Sequence, residues 1–536
     1  MNTELIKTLQ QIVGAKHVLS SAEKTAYYRS GFRSGKGTAL AVVFPGTPLE
    51  QWQVIKAAVK ANCVIIMQAA KTGLTEGSAP KGDDYEREVV IVNITRIKKI
   101  VLLDGGKQAL AFAGATLFDL ERELEKVGRA PHSVIGSTTI GATIVGGIAN
   151  SSGGALVKRG PAYTELALFA QVDKNKELQM VNHLGINNLG STPEQILTRL
   201  YEEDIPPADI GDWDKLASDR EYIDRIRQVN STIPNRFNAD ERRLFEASGC
   251  AGKIAVFAVR VDTWPVPQKE QLFYMGTNSA EKLEDLRRDV LQNFTNLPEM
   301  CEYMHRDVFT IAKRYGKDVF LSIKYIGTRA LPRAYALKAR VENALNRVPF
   351  LPKFLPDRFL FHLSRLFPQH LPEKMRLFEK RFEHHLMLKM SDAGIAEARK
   401  YLTEKWGNDD DFDFFECSPK ESEAALLHRF AIAGASIRYQ TMHSDRLEKV
   451  VSLDIAMAPN DLSWVEKLPA EISEHLDVMM DCGHFMCHVF HRDYIFRKGT
   501  DITKMKKLLL ERLDAQGAKY PAEHNVGHMY EAEEHL

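Results

Sequence analysis

The sequence has little of what marks secreted, membrane-spanning or nucleic-acid-binding proteins. Its 536 residues include only 6 cysteines, too few and too scattered for a disulfide framework, which favours a reducing compartment. No run of 18 apolar residues occurs, so no transmembrane helix is expected, and the opening MNTELIKTLQQIV does not resemble a signal peptide. Lys and Arg (71) balance Asp and Glu (71), which argues against a dedicated nucleic-acid-binding protein.

What is present is the composition of an ordinary globular protein, with 44% apolar and 26% charged residues. Up to about residue 265, β-rich runs alternate with helical patterns; the runs are 40–44, 64–67, 89–94, 100–103, 110–112, 166–172 and 254–261. Thr47-Pro48 followed by Glu50 predicts a helix start with a capping box and proline in the first turn. This mixture predicts an α+β domain that binds a nucleotide or cofactor.

One stretch, residues 324–389, is strongly basic within this neutral chain. It holds 14 Lys and Arg against 5 Asp and Glu, and its prolines divide it into short amphipathic pieces such as RFLFHLSRLF and KMRLFEKRF. Aromatic and leucine side chains alternate with cations, as in segments that lie on anionic membranes. A solvated basic face over an ordinary core is an equally weighted alternative. A nucleic-acid patch ranks third, because the stretch contains no standard nucleic-acid-binding module.

Two segments, residues 68–78 and 131–155, are rich in glycine and small polar residues. Glycine allows the backbone to approach a ligand closely, and successive N–H groups can then cradle a diphosphate. Neither segment contains the GxGxxG fingerprint of a nicotinamide-binding domain at a helix start. The two segments in one domain therefore indicate a different type of dinucleotide site.

These segments resemble the pyrophosphate loops of the FAD-binding fold of the vanillyl-alcohol-oxidase and p-cresol-methylhydroxylase type. More closely, the chain resembles the bacterial respiratory, quinone-dependent D-lactate dehydrogenases. The stretches that carry the resemblance include LAVVFPGT, QAAKTGLTEGSAP, PHSVIGSTTIGATIVGGIANSSGGALVKRGPAYTEL, LFEASGCAGKIAVFAVR, EYMHRD, LLHRFAIAGASIRYQ, GHFMCHVFHRDY and YPAEHNVGHMY. They extend over nearly the whole chain.

The resemblance implies a set of residues that bind FAD without a covalent bond. In the first segment, the residues that would wrap the pyrophosphate are Ala69, Ala70, Lys71, Thr72, Gly73, Gly77 and Ser78. Gly136, Thr143 and Gly153 of the second segment would complete the site, and Val256 would contact FAD through its backbone.

The resemblance also implies a division of the chain. A two-part FAD-binding domain would span residues 1–265, and an α+β cap domain would be formed by residues 266–323 and 390–536. Residues 324–389 would form a basic, largely helical membrane-contact insertion between the two parts of the cap.

A group of histidines near the end of the chain is the candidate catalytic centre. His484 and His491 are followed about thirty residues later by Glu523-His524, an order that resembles flavin enzymes oxidising other D-2-hydroxy acids. In those enzymes the histidines and glutamate bind a divalent metal, and the last histidine is the base. The glycine-rich turn that separates their first two histidines is replaced here by FMCHVF, so a metal such as Zn²⁺ at His484, His491 and Glu523 stays an open question.

The expected chemistry is oxidation of a secondary alcohol beside a carboxylate. A base takes the hydroxyl proton while hydride leaves C2 for the flavin, and an imidazole is well matched to this task near neutral pH. His524 is the first candidate, with Glu523 orienting it or binding metal. Arg429 is the first candidate for binding the substrate carboxylate and Arg438 the second.

Together these features predict a peripheral flavoenzyme on the cytoplasmic face of the bacterial inner membrane. D-Lactate would reduce FAD, a membrane quinone would reoxidise it, and residues 324–389 would contact anionic phospholipid. The enzymatic alternative is a dehydrogenase of a larger D-2-hydroxy acid, such as 2-hydroxyglutarate, with a soluble electron carrier. A lipid-binding scaffold with a degenerate flavin domain is the non-enzymatic alternative, against which Gly73, Gly77 and Gly136 argue. No nucleic-acid partner is expected.

Overall fold

The computed structural model describes residues 2–32, 35–73, 75–134, 138, 140–211, 214–250, 252–327, 338, 341–342, 345, 354–524, 526 and 530. Gly136, predicted to bind FAD, lies outside the described residues, as does much of the basic stretch between 328 and 353.

Two sheets form the first half of the chain. A four-stranded sheet has the order β1-β2-β4-β3, with the strands β1 Val18–Leu19, β2 Ala41–Val43, β3 Val64–Gln68 and β4 Val89–Asn93. An antiparallel five-stranded sheet has the order β5-β6-β10-β8-β9, with β5 Ile100–Leu103, β6 Gln108–Phe112, β8 Ala167–Val172, β9 Leu178–Asn182 and β10 Ile254–Asp262. A short ribbon pairs β7 Arg129–Ala130 with β11 Trp264–Pro265. Each strand run predicted from the sequence is present.

The described helices of this half cover the sheets. They are α1 Asn2–Val13, α2 Ala22–Thr25, α3 Pro48–Lys60, α4 Leu117–Glu125, α5 Ile144–Ala149, α6 Pro193–Glu202 and α7 Tyr222–Ile226. Helix α3 joins the two sheets, because Val54 packs with the core of the first and Ile55 with that of the second. Its predicted start is correct, since the Thr47 hydroxyl accepts the Glu50 N–H. The Glu50 carboxylate, however, accepts from the Gly46 N–H, so the predicted capping box is shifted by one residue.

The second half is built on an antiparallel seven-stranded sheet of order β15-β12-β14-β13-β17-β18-β16. Its strands are β12 Glu270–Thr277, β13 Met300–His305, β14 His384–Ser391, β15 Phe412–Glu416, β16 Leu447–Ala456, β17 Leu476–His484 and β18 Val489–Arg497. The described helices around it are α8 Ala280–Asn293, α9 Arg306–Tyr315, α10 Lys317–Ile326, α11 Leu355–Ser364, α12 Glu373–Arg381, α13 Ala393–Trp406, α14 Pro419–Met442, α15 Ala470–Ser473 and α16 Ile502–Ala515. One face of the sheet packs against α8, α13 and α16, and the other against α9, α12 and α14.

Between residues 354 and 381 the basic stretch forms short helices, as its prolines predict. Its last residues, 384–389, instead belong to β14, an inner strand of the seven-stranded sheet, so the predicted insertion extends too far towards the C-terminus. Helix α11 begins with Leu355-Pro356, and α12 follows Pro372. Within the described ranges, none of the helices has the length and apolar character that crossing a bilayer would require.

Candidate active site

Strand pairing and the C-terminal segment bring His484, His491 and Glu523 together. His484 ends β17, a tight turn over Phe485–Cys487 reverses the chain, and His491 lies on β18. The Nε2 atoms of the two histidines are 3.3 Å apart, and Nε2 of His484 lies 3.5 Å from Oε1 of Glu523. One nitrogen or oxygen from each of the three side chains therefore lies within 4.8 Å of the others.

Each of these three side chains is held from behind by a buried partner. Nδ1 of His484 lies 2.6 Å from Glu302 Oε1, and Nδ1 of His491 lies 2.9 Å from Asp454 Oδ1. Arg236 donates to the Glu523 carboxylate, and Asp454 also accepts the Glu523 backbone N–H at 2.6 Å. With both Nδ1 atoms engaged by carboxylates, the two Nε2 atoms are directed at one another and at Glu523.

The electrostatics of this cluster call for a positive charge among the three side chains. Burial alone would lower the pKa of His484, but the carboxylates of Glu302 and Glu523 outweigh burial and raise it to about 10. Burial likewise opposes ionisation of Glu302, yet the charges of His484 and Arg429 hold its pKa below the usual value. The site therefore retains either a proton on His484 or another cation in its place.

The donor set fits a divalent metal. Imidazole nitrogen and carboxylate oxygen are common zinc ligands, and metal-binding histidines usually donate their second N–H to a carboxylate. Both histidines here have such a carboxylate, Glu302 for one and Asp454 for the other. The sequence left open whether a metal binds at His484, His491 and Glu523. These three residues are a suitable set of ligands.

The structure brings two more predicted residues to this cluster and leaves one elsewhere. Nε of Arg429, on α14, donates to Glu302 at 2.7 Å, which joins Arg429 to His484 through one carboxylate. Nε2 of His524 lies 3.9 Å from Asp454 Oδ2. Arg438, nine residues after Arg429 in the same helix, instead pairs with Asp318 and Asp357 of the helices α10 and α11.

The first glycine-rich segment forms a loop directly after β3. The side-chain amide of Gln68 donates to the backbone carbonyl of Ser78 at 2.6 Å and so ties the two ends of the loop together. Within the loop, Lys71 has a positive φ of 57°, and a Cβ built at Gly73 would meet no described atom within 4 Å. The Lys71 ammonium donates to the backbone carbonyls of Tyr27 and Ser30, so two of its three N–H groups are already engaged.

The second segment contains buried polar atoms that lack protein partners. Both ring nitrogens of His132 and the hydroxyl of Ser133 have no hydrogen-bond partner among the described residues, although both side chains are buried. Such orphaned atoms are rare in folded proteins and fit a polar ligand that fills this space. The FAD predicted from the sequence is such a ligand.

Three more of the predicted FAD residues, Thr143, Gly153 and Val256, have visible structural roles. The Thr143 hydroxyl caps α5 by accepting the Gly146 N–H. A Cβ at Gly153 would lie 2.1 Å from Nη1 of Arg236, so glycine there makes room for the partner of Glu523. The Val256 carbonyl accepts from the Gln51 amide at 3.0 Å.

Sequence reasoning missed the buried partners Glu302, Asp454 and Arg236. Glu302 lies within the EYMHRD stretch, but its role depends on β13 pairing with β17, where it lies opposite His484. No local spacing in the sequence indicates that pairing.

Two family models match the chain. One, described as FAD binding domain, matches residues 39–165, and the other, described as D-lactate dehydrogenase, membrane binding, matches residues 272–536.

Curated relatives match it from end to end. The quinone-dependent D-lactate dehydrogenase of Escherichia coli (strain K12) is 51% identical over 535 residues, covering 100% of this chain and 93% of that protein. The enzyme of the same name from Haemophilus influenzae is 49% identical over 529 residues, covering 99% and 94%.

Solved structures show the fold. A crystal structure of p-cresol methylhydroxylase with substrate bound superimposes with a TM-score of 0.53 at 12% identity, covering 96% of this chain and 85% of that one. The predicted FAD-binding fold is thereby confirmed.

Proposed function

The chain belongs to the family of quinone-dependent D-lactate dehydrogenases, and we propose that the His484–His491–Glu523 cluster with His524 and Arg429 is its catalytic centre. It is an FAD-dependent oxidoreductase that converts D-lactate to pyruvate and passes the electrons to quinone. The alternative of a larger D-2-hydroxy acid and a soluble carrier is not what its relatives do. The observation that carries the proposal is the convergence of the three side chains within 4.8 Å.

Arg429 binds the substrate carboxylate in this proposal. Its Nε is fixed by Glu302, which leaves the two Nη groups as the fork that recognises a carboxylate. Arg438, the second candidate, is given no substrate contact in this proposal, since it pairs with Asp318 and Asp357.

His524 takes the hydroxyl proton of D-lactate. Its side chain is 20% exposed and lies beside Asp454, whose carboxylate favours the imidazolium that forms when the proton arrives. FAD, held by the two glycine-rich segments, would supply the acceptor for the hydride from C2.

His484, His491 and Glu523 would hold a divalent metal, which would supply a Lewis acid for the hydroxyl or carboxylate oxygen of the substrate. Glu302, Asp454 and Glu523 bring three negative charges against the two of Arg236 and Arg429. A divalent cation would more than offset this single excess negative charge and would take the place of a proton on His484.

Membrane association is peripheral, and we propose that residues 324–389 contain the part of the chain that contacts the phospholipid surface. Phe359, Leu363 and Leu366 follow one another at helical spacing along α11 and beyond its end, and they are 64%, 39% and 81% exposed. The exposed Arg365 lies between Leu363 and Leu366 in the chain. An apolar stripe with interspersed cations fits the headgroup region of anionic phospholipid on the cytoplasmic face of the inner membrane.

We also propose that the chain divides near residue 265 into the FAD-binding domain and the cap. The five-stranded sheet ends at Asp262, and the seven-stranded sheet begins at Glu270. The cap would then comprise 266–323 and 390–536 together with all of β14, because His384–Ser391 lies between β12 and β13 in the cap sheet. The predicted membrane-contact insertion, 324–389, would therefore end before residue 384.

The experiment that tests the catalytic centre compares His524→Ala with Arg429→Lys under anaerobic conditions. Removing the base should slow flavin reduction by about 10²–10⁴-fold at saturating D-lactate. Replacing the guanidinium should mainly raise the concentration of D-lactate required. Near-normal flavin reduction in His524→Ala would rule out His524 as the base. The metal is tested separately by elemental analysis, where less than one equivalent of any divalent metal in active protein would exclude it.

A further inference from the structure

A second group of histidines lies in the cap, outside the catalytic centre. His385 and His428 lie buried in the apolar core between α9, α14 and β14, and half-buried His370 lies at the edge of this core beside α10. Both ring nitrogens of His370 and His428, and Nε2 of His385, have no hydrogen-bond partner among the described residues. The nearby backbone carbonyls of Phe309 and Phe382 lie outside good hydrogen-bond geometry with His428 and His385. Ring nitrogens so poorly paired beside an apolar core are costly and call for an explanation.

Aromatic rings line this histidine group. The Phe309 ring lies 4.4 Å from the His428 ring and 5.2 Å from the His385 ring, centroid to centroid, and stacks on the latter. The Phe320 ring lies 4.6 Å from the His370 ring. The surroundings are therefore those that hold a flat, apolar ring system.

The three imidazoles are neutral at physiological pH. Burial, reinforced by the neighbouring histidines and Lys313, lowers the pKa of His428 to about 3, although the Phe309 carbonyl opposes this. Burial lowers the pKa of His385 to about 3 and that of His370 to about 4. A neutral imidazole carries one N–H, so the group offers hydrogen-bond donors to an uncharged acceptor rather than charge to an anion.

The histidine group shares a sheet face with the catalytic centre. Glu302 and Met304 point to the same face of β13, and Met304 lies opposite His385 while Glu302 lies opposite His484. His428 directly precedes Arg429 in α14, and the Arg429 guanidinium contacts Glu302. The two groups are thus neighbours.

The histidine group also adjoins the proposed membrane surface. His370 lies in the connection between α11 and α12, a few residues after Leu366 and Phe367, which are 81% and 48% exposed. A lipid-soluble molecule that partitions into the membrane would meet this connection first.

We propose that His370, His385 and His428 form the binding site for the quinone headgroup. The headgroup is a flat ring with two carbonyl oxygens, which accept hydrogen bonds from neutral imidazoles, and Phe309 and Phe320 flank the ring. The headgroup enters by displacing the connection that carries His370. This inference rests on the proposed function, because the family's acceptor is a quinone.

The reaction balances without another reactant. D-Lactate gives up two electrons and two protons on becoming pyruvate, and the quinone takes up two electrons and two protons on becoming the quinol. The histidine group binds the acceptor and adds no chemical step to this reaction.

The test measures steady-state kinetics of the full-length holoenzyme with two acceptors, a water-soluble dye and decylubiquinone. His428→Leu and His370→Leu should raise KM for decylubiquinone by about tenfold, the loss of roughly one hydrogen bond. With the dye, both variants should keep the wild-type kcat and the wild-type KM for D-lactate. His362→Gln, which removes an exposed imidazole from α11, is the matched control and should leave the kinetics with both acceptors unchanged.

Three results would overturn the proposal. The first is an unchanged KM for decylubiquinone in both variants. The second is an equal loss of activity with both acceptors, which would place the histidines in the D-lactate half-reaction. The third is a wild-type enzyme that reduces the dye but no quinone, which would refute the proposed acceptor itself. Should His428→Leu fail to fold, His370→Leu, at the edge of the core, decides alone.

Discussion

Glu302 joins the substrate-binding and metal-binding parts of the proposed site, so Glu302→Gln is the most informative perturbation. The Glu302 side chain is 2% exposed, and its carboxylate contacts Arg429 at 2.7 Å and His484 at 2.6 Å. Glutamine keeps the shape but removes the charge. Loss of one partner of a buried ion pair costs about 3–5 kcal/mol, and because Arg429 is 18% exposed we expect about 3 kcal/mol in urea unfolding.

The same change should disturb catalysis by misplacing two groups at once. A displacement of about 1 Å in a positioning group costs about 10²-fold in rate, so we expect kcat with a dye acceptor to fall about 100-fold while flavin stays bound. Glu466→Gln is the matched control, because Glu466 is 3% exposed and also bonds two cations, Arg492 and Arg512. The control should lose stability but keep kcat. A Glu302→Gln enzyme with normal kcat, or an equal loss in both variants, would refute the assignment of Glu302.

Three other predictions follow from separate parts of the structure. Arg438→Gln should lower the free energy of unfolding by about 3 kcal/mol, since it removes the cation beside Asp318 and leaves Asp357 with Lys338 alone; an altered KM for D-lactate would contradict its structural role. Leu366→Ser with Phe367→Ser should weaken binding to anionic vesicles by at least about tenfold in co-sedimentation while dye-linked kcat stays unchanged. Since burial lowers the pKa of His428 from 6.5 to about 3, the unfolded chain binds a proton below pH 6.5 that the folded chain does not. Stability should therefore fall on acidification from pH 6.5 towards 4, and His428→Leu should flatten that slope by about 1.4 kcal/mol per pH unit in urea melts; an unchanged slope would contradict the buried neutral imidazole.

The sequence predicted the elements of the FAD domain well because their signals are local. Periodic apolar runs marked β3, β4 and β10, and Thr47-Pro48 marked the start of α3. The prolines of the basic stretch likewise predicted short helices, of which α11 and α12 are described.

The catalytic cluster was only half predictable. The spacing of His484 and His491 across one tight turn is a local signal, whereas Glu302 and Asp454 reach the cluster through pairing of strands far apart in sequence. Arg429 and Arg438 looked alike in the sequence. Their roles separate only in the structure, where one arginine faces Glu302 and the other faces the helices α10 and α11.

The most direct test of the central claim is anaerobic mixing of the purified protein with D-lactate or L-lactate while the visible flavin spectrum is recorded. A D-lactate dehydrogenase should bleach the flavin band near about 450 nm with the D isomer alone, because in the proposed site Arg429 and His524 would fix the carboxylate and hydroxyl on one face of C2. Bleaching by both isomers, or by neither, would contradict the account.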